Sequence, residues 1–190
     1  MTVHELRISL DEVELEIWRR VQVPSAISLA QLHRVIQTIM PWQDHHLHEF
    51  TIAGVLYGID DGESFDEPPE DERRVRLDDL ATAGDAFVYT YDFGDSWDHT
   101  VAVLAVHPAD PSVSYPDCLD GGRACPPEDV GGPPGYEEFL GAIADPDHEE
   151  HDSYLEWIGG VFDPEKFDVH GTNVRLGRLS LGRSATRRRR

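Results

Sequence analysis

The chain has 190 residues, 37 of them Asp or Glu and 16 Lys or Arg, for a formal net charge of -21. A single domain of this size buries about 70% of the surface its unfolded chain exposes, so 39% apolar residues make a core without disulfides, and two cysteines exclude a disulfide scaffold. No apolar run approaches the ~20 residues that span a bilayer, and Met1-Thr2-Val3-His4-Glu5 lacks the basic-then-apolar pattern of a leader, so the expectation is a cytoplasmic protein that avoids membranes.

In chain order, Leu6, Ile8 and Leu10 alternate within Val3 to Leu10, and Ile17, Arg19, Val21 and Val23 alternate within Leu15 to Val23, which predicts a hairpin of two strands. Beyond Pro24, Ser28 and Gln31 have capping-box spacing, and Leu29, Leu32, Val35, Ile36, Ile39 and Met40 recur at helical intervals up to Pro41. Short strands are predicted at Leu47 to Ala53 and Val55 to Tyr57, followed by an acidic surface loop over Asp60 to Arg74. Phe87, Tyr89, Tyr91 and Phe93, a Gly94-Asp95-Ser96 turn, and then Trp97, His99, Val101 and Val103 give the strongest hairpin signal. Pro108 to Pro134 is a Gly- and Pro-rich loop holding both cysteines. Two helices are predicted after it, on stripes from Tyr136 to Ile143 and from Tyr154 to Ile158, each with a stop signal at its end. The order implies an α+β fold, a mixed sheet grasping one helix in the ubiquitin-like, β-grasp manner, with additional C-terminal helices. Residues 1–179 are expected to form one domain and 180–190 a flexible basic tail.

Charge is unevenly placed. Residues 1 to 168 hold 9 basic and 37 acidic side chains, a net of -28, whereas the rest carries seven arginines and no acid, +7. The body should repel nucleic acid, and the arginine tail could touch it weakly in a salt-dependent way.

Four stretches resemble one family: Ile17-Trp18-Arg19-Arg20-Val21-Gln22-Val23-Pro24, Tyr91-Asp92-Phe93-Gly94-Asp95-Ser96-Trp97-Asp98-His99, Tyr115-Pro116-Asp117-Cys118, and Ala124-Cys125-Pro126-Pro127-Glu128-Asp129-Val130-Gly131-Gly132. The chain is similar, up to about residue 170, to the plasmid pRi ORF-three-like proteins, also called insertion-sequence passenger or TnpR-like proteins. The resemblance implies a compact α+β domain carried on mobile elements and chromosomes, with no reaction attached. A serine recombinase, as the TnpR-like label would suggest, needs a parallel β-α unit after its serine and a basic helix-turn-helix. Here Ser9 alternates out of phase with its apolar neighbours and a second antiparallel strand is predicted to follow, so resolvase chemistry is set aside.

Candidate chemistry gathers in three places. Asp92, Asp95, Asp98 and His99 surround one turn, where carboxylates and an imidazole can meet a divalent ion, although Asp and Gly also serve turns for backbone reasons alone. The expectation is that the Cys loop folds over the aromatic hairpin into one surface, with Asp92 and His99 at its centre and Glu128 and Asp129 on its rim. Cys118 and Cys125 are a weaker metal candidate, with six residues between them, and a zinc ion there would draw on His148 and His151 for its remaining ligands. His45, His46 and His48 cluster after Trp42, a pattern more typical of surface histidines than of ligands. The leading functional expectation is an interaction or ligand-binding module without catalysis, taking a protein or small ligand. The alternative is a metal-assisted hydrolase or nuclease using Asp92, Asp95, His99 and Glu128 or Asp129.

Overall fold

A computed structural model describes residues 1–60, 62 and 68–181. Residues 182–190 of the expected tail, and 61 and 63–67 of the acidic loop, lie outside the described residues. The strands are β1 (Thr2–Leu10), β2 (Trp18–Pro24), β3 (His48–Ile52), β4 (Val55–Gly58), β5 (Glu70–Asp71), β6 (Ala86–Tyr91), β7 (Trp97–Pro108) and β8 (Asp117–Gly122). The helices are α1 (Leu29–Ile39), α2 (Leu77–Leu80), α3 (Gly132–Ala144), α4 (His151–Ile158) and α5 (Val169–Leu176).

The α+β class is as the sequence implies, but the sheet is wider than a grasp around one helix. Eight strands run in the order β5-β4-β3-β6-β7-β1-β2-β8, all neighbours antiparallel except β4 and β5. The centre is long: β7 pairs with β1 from Leu10↔His99 to Thr2↔Pro108 and with β6 from Tyr91↔Trp97 to Ala86↔Ala102. Strand alternation sends one set of side chains to each face. Leu6, Ile8, Val21, Val23, Phe50, Tyr89, Tyr91 and Val101 are buried, while Arg7, Arg20 and Thr100 on the alternate face bond Glu16, Glu5 and Asp11.

Helix α1 covers the apolar face. Its capping box is formed in both directions, with Ser28 Oγ accepting from Gln31 N and Gln31 Oε1 accepting from Ser28 N, worth about 1 kcal/mol over an uncapped start. Leu29, Leu32, Val35, Ile36 and Ile39 are fully buried. Ser9 lies between antiparallel neighbours on both sides, which bears out its strand setting.

Elements beyond those the sequence predicts include β5, within the expected acidic loop, and α2 after it. The Cys loop contributes a strand, β8, which extends the sheet along the free edge of β2. Helix α5 forms after the two predicted C-terminal helices, capped by the Asp168 side chain, which accepts from Gly171 N. The start of the expected tail is anchored: Ser180 O accepts from Arg34, and Leu181 O accepts from the Gln31 side-chain amide.

Candidate functional site

The site is built where three loops meet at one end of the aromatic hairpin. Trp42, just past α1, stacks on Tyr91 at 5.0 Å between ring centroids and donates its indole N–H to Pro126 O, pinning the Cys loop to β6. The loop is also held by its backbone. Gly131 N donates to Asp95 Oδ2, and Gly132 lies so close that a Cβ there would sit 2.5 Å from Asp95 O, at a φ of 70° that glycine adopts freely.

This docking delivers Glu128 and Asp129 to His46 and Asp92. The His46 Nε2 lies 2.9 Å from Asp129 Oδ1, 3.6 Å from Asp92 Oδ2 and 3.7 Å from Glu128 Oε2. His46 Nε2–H donates to Asp129. Asp92 and Asp129 both have φ of 58°, a left-handed conformation that Asp tolerates better than most residues. Asp92 Oδ1 accepts from Gly94 N and, at 3.4 Å, from Asp95 N, which leaves Oδ2 facing His46. Glu128 is more tightly tied, accepting from Tyr91 OH at 3.1 Å and from Gln43 N at 2.6 Å. Burial, and secondarily the Glu128 charge, pushes the Tyr91 phenol well above its ordinary range, so it stays a donor. Leu47 and Phe93, next in chain to His46 and Asp92, are 47% and 50% exposed and give the site an apolar margin.

The Cys loop thus lies against the aromatic hairpin, and Asp92, Glu128 and Asp129 come together. Asp95 does not join them, since it anchors the loop backbone instead. His99 leaves the proposed centre altogether. It is fully buried beneath Trp42, at 5.3 Å edge to face, with Nδ1–H donating to Trp97 O and Nε2 without a partner. Desolvation drives its pKa down to about 4, as expected of a ring kept neutral in the core. The aromatic neighbours that made His99 look catalytic are what bury it. His46 takes its place, and the only signal for it was its position in the His45, His46, His48 run.

The cysteine-histidine set is not brought together either. Among the described residues, the groups whose donor atoms come within 4.8 Å of one another are His46, Asp92, Asp129 and His33, Asp44, His48. Cys118 and Cys125 are buried free thiols; burial pushes Cys118 up to about 11 and Cys125 higher still, against the opposing charge of Arg19. His148 Nδ1 accepts from Glu150 N, and His151 Nδ1–H donates to Ala142 O, both local to the α3–α4 corner.

The second group lies behind the first. Gln37 donates to Tyr89 OH, Tyr89 OH donates to His33 Nδ1, and His33 Nε2–H donates to Asp44. His48 stacks on His33 at 3.4 Å with planes 4° apart and donates to the buried Glu72. Desolvation, then the charge of His48, lowers the His33 pKa.

The family model for the plasmid pRiA4b ORF-3-like protein matches residues 2–171. The chain belongs to this family. The uncharacterized protein y4hQ of Sinorhizobium fredii is 44% identical over 160 residues, covering 83% of this chain and 81% of that one. The crystal structure of a protein of unknown function, MM3350 from Methanosarcina mazei Go1, superposes with a TM-score of 0.81 at 39% identity, over 90% of this chain and 97% of that one. No helix among the described residues is long and apolar enough to cross a membrane.

Proposed function

We propose that this family member is a cation-dependent ligand-binding module, with a divalent ion held by His46, Asp92 and Asp129. The observation that carries the reading is charge balance at one nitrogen: a single imidazole N–H faces carboxylate oxygens at 2.9, 3.6 and 3.7 Å. One donor satisfies one acceptor, and a divalent cation that displaced the Nε2 proton, with the ring then protonated at Nδ1, would balance the remaining negative charge. An ion with bonds of about 2.1 Å spaces tetrahedral donors by about 3.4 Å, and one imidazole with two carboxylates suits Zn²⁺ or Mn²⁺. The half-exposed side of such an ion would accept oxygens from an anionic ligand, and Leu47 and Phe93 would pack against its apolar part.

Binding without turnover is favoured because Glu128, the residue best placed to act as a base, is already committed to Tyr91 OH and Gln43 N. The metal-assisted hydrolase reading rests on Glu128 Oε2, which shares the Tyr91 hydroxyl at 3.3 Å and, at 3.7 Å from His46 Nε2, would be within reach of an ion-bound water. Isothermal titration with Mn²⁺ and Zn²⁺ tests the proposal. The wild type is expected to take one ion, and His46→Gln and Asp92→Asn each to weaken it at least about tenfold. Absence of binding, or affinity unchanged in both variants, would refute it. Metal-dependent cleavage of an activated phosphodiester, lost in Glu128→Gln, would select the hydrolase.

A further inference from the structure

The loop between β1 and β2 and one side of α3 enclose a cleft of about 180 Å³ that shares no residue with the ion site. Tyr136, Glu137 and Leu140 come from α3 at positions three and four apart, so they project on one side of the helix, and Val13 and Leu15 face them from the loop. Glu12 and Glu14 alternate with those two apolar residues, which brings three carboxylates to the lining. All three glutamates are exposed, and none has an ion pair or a hydrogen bond among the described residues. The arginines that reach this loop, Arg7 and Arg123, are spent on Glu16, the first on its carboxylate and the second on its backbone oxygen, and Arg123 also holds Glu165. Tyr136 adds an independent sign of a ligand. It is 4% exposed, yet its hydroxyl has no hydrogen-bond partner among the described residues. The oxygen is not sealed from solvent as His99 Nε2 is, so its lone pairs are left to the cleft that the ring lines.

Unpaired carboxylates, an unused hydroxyl and an apolar lining together call for a ligand that is cationic and aliphatic at once. A single metal ion does not fit, because these glutamates are not among the groups whose donor atoms gather within 4.8 Å. Separate carboxylates are matched by separate cations. A space of about six water volumes admits a slender chain and excludes a helix or strand of a partner. We propose that this cleft binds a linear aliphatic polyamine, with ammonium groups on Glu12, Glu14 and Glu137, one N–H donated to Tyr136, and methylene spacers along Val13, Leu15 and Leu140. The field of a chain with net charge -21 raises the local concentration of such a cation. This is independent of the ion at His46.

The test is isothermal titration of the full chain with spermidine at about 50 mM salt, where exposed charges are only partly screened. One molecule per chain is expected. Glu14→Gln and Glu137→Gln should each weaken binding about two- to fivefold, the range of an exposed ion pair. Tyr136→Phe removes only an unbonded hydroxyl, so it should weaken binding about fivefold and leave the thermal midpoint unchanged. Glu149→Gln, at an exposed glutamate outside the cleft, is the control and should leave the affinity unchanged. The proposal is overturned by absence of saturable binding, by affinity unchanged in Tyr136→Phe or in both glutamate variants, or by an equal loss in Glu149→Gln, which would reduce the effect to the charge of the whole surface. Loss of binding in Asp92→Asn would place the amine at the ion site, and binding of oligolysine with none of spermidine would make the cleft a peptide-docking surface; either result overturns it as well.

Discussion

Two clusters of histidine and carboxylate stand side by side, and one short segment, Asp44 to His48, contributes to both. In the inner cluster every donor has an acceptor: Gln37 to Tyr89, Tyr89 to His33, His33 to Asp44, and His48 to Glu72. Its two rings lie parallel at 3.4 Å, so their in-plane lone pairs cannot aim at one ion between them. In the outer cluster one N–H faces three carboxylates, donating to the exposed Asp129 and lying 3.6 and 3.7 Å from the largely buried Asp92 and Glu128. The residue types are the same. Donor-acceptor balance distinguishes a polar strut from a binding site.

The largest expected effect falls on the inner cluster. Glu72→Ala leaves the buried His48 N–H without its acceptor and should cost about 2–4 kcal/mol in denaturant unfolding, with cation binding retained. Asp92→Asn should cost less than about 1 kcal/mol, since the amide oxygen still accepts from Gly94 N and Asp95 N. If Asp92→Asn proves the more damaging of the two, the comparison is inverted and the outer cluster is structural.

A smaller effect appears with pH. His99 is lowered to about 4 by burial, and His33 is lowered by burial and by the charge of His48. Both bind a proton more readily unfolded, where the ordinary pKa is about 6.5. Their stabilisation is therefore complete above about pH 6.5, is lost as pH falls toward about 4, and changes no further below that. The drop from the ordinary value to about 4 makes His99 alone contribute on the order of 3 kcal/mol across that window. Unfolding free energies measured from pH 7 to 4 should fall less steeply in His99→Phe than in wild type; equal slopes would show that His99 is protonated in the folded core.

Much of the scaffold could be read from particular residues. The Phe87, Tyr89, Tyr91 alternation and its continuation at Trp97, His99, Val101 locate β6 and β7, and Ser28 with Gln31 locates the start of α1. Strand β8 was hidden because Asp120-Gly121-Gly122 reads as a turn, and only the unpaired edge of β2 makes it a strand. Helix α5 was hidden by Gly171 and a weak apolar stripe. At the site, Asp92, Glu128 and Asp129 were visible as chemistry in two loops that could meet. His46 was not, because its nearest partner lies 83 residues away and periodicity carries no information over that distance. His99 misled for the opposite reason: aromatic flanks announce burial, and burial complete on every side removes a group from any ligand.

The most direct test of the outer cluster as an ion site is anomalous diffraction from crystals soaked in Mn²⁺ or Zn²⁺, recorded on either side of the metal edge. The account predicts one strong peak about 2.1 Å from His46 Nε2 and from carboxylate oxygens of Asp92 and Asp129, absent in His46→Gln. A peak between His33 and His48, or at Cys118 and Cys125, with none at His46, would contradict it.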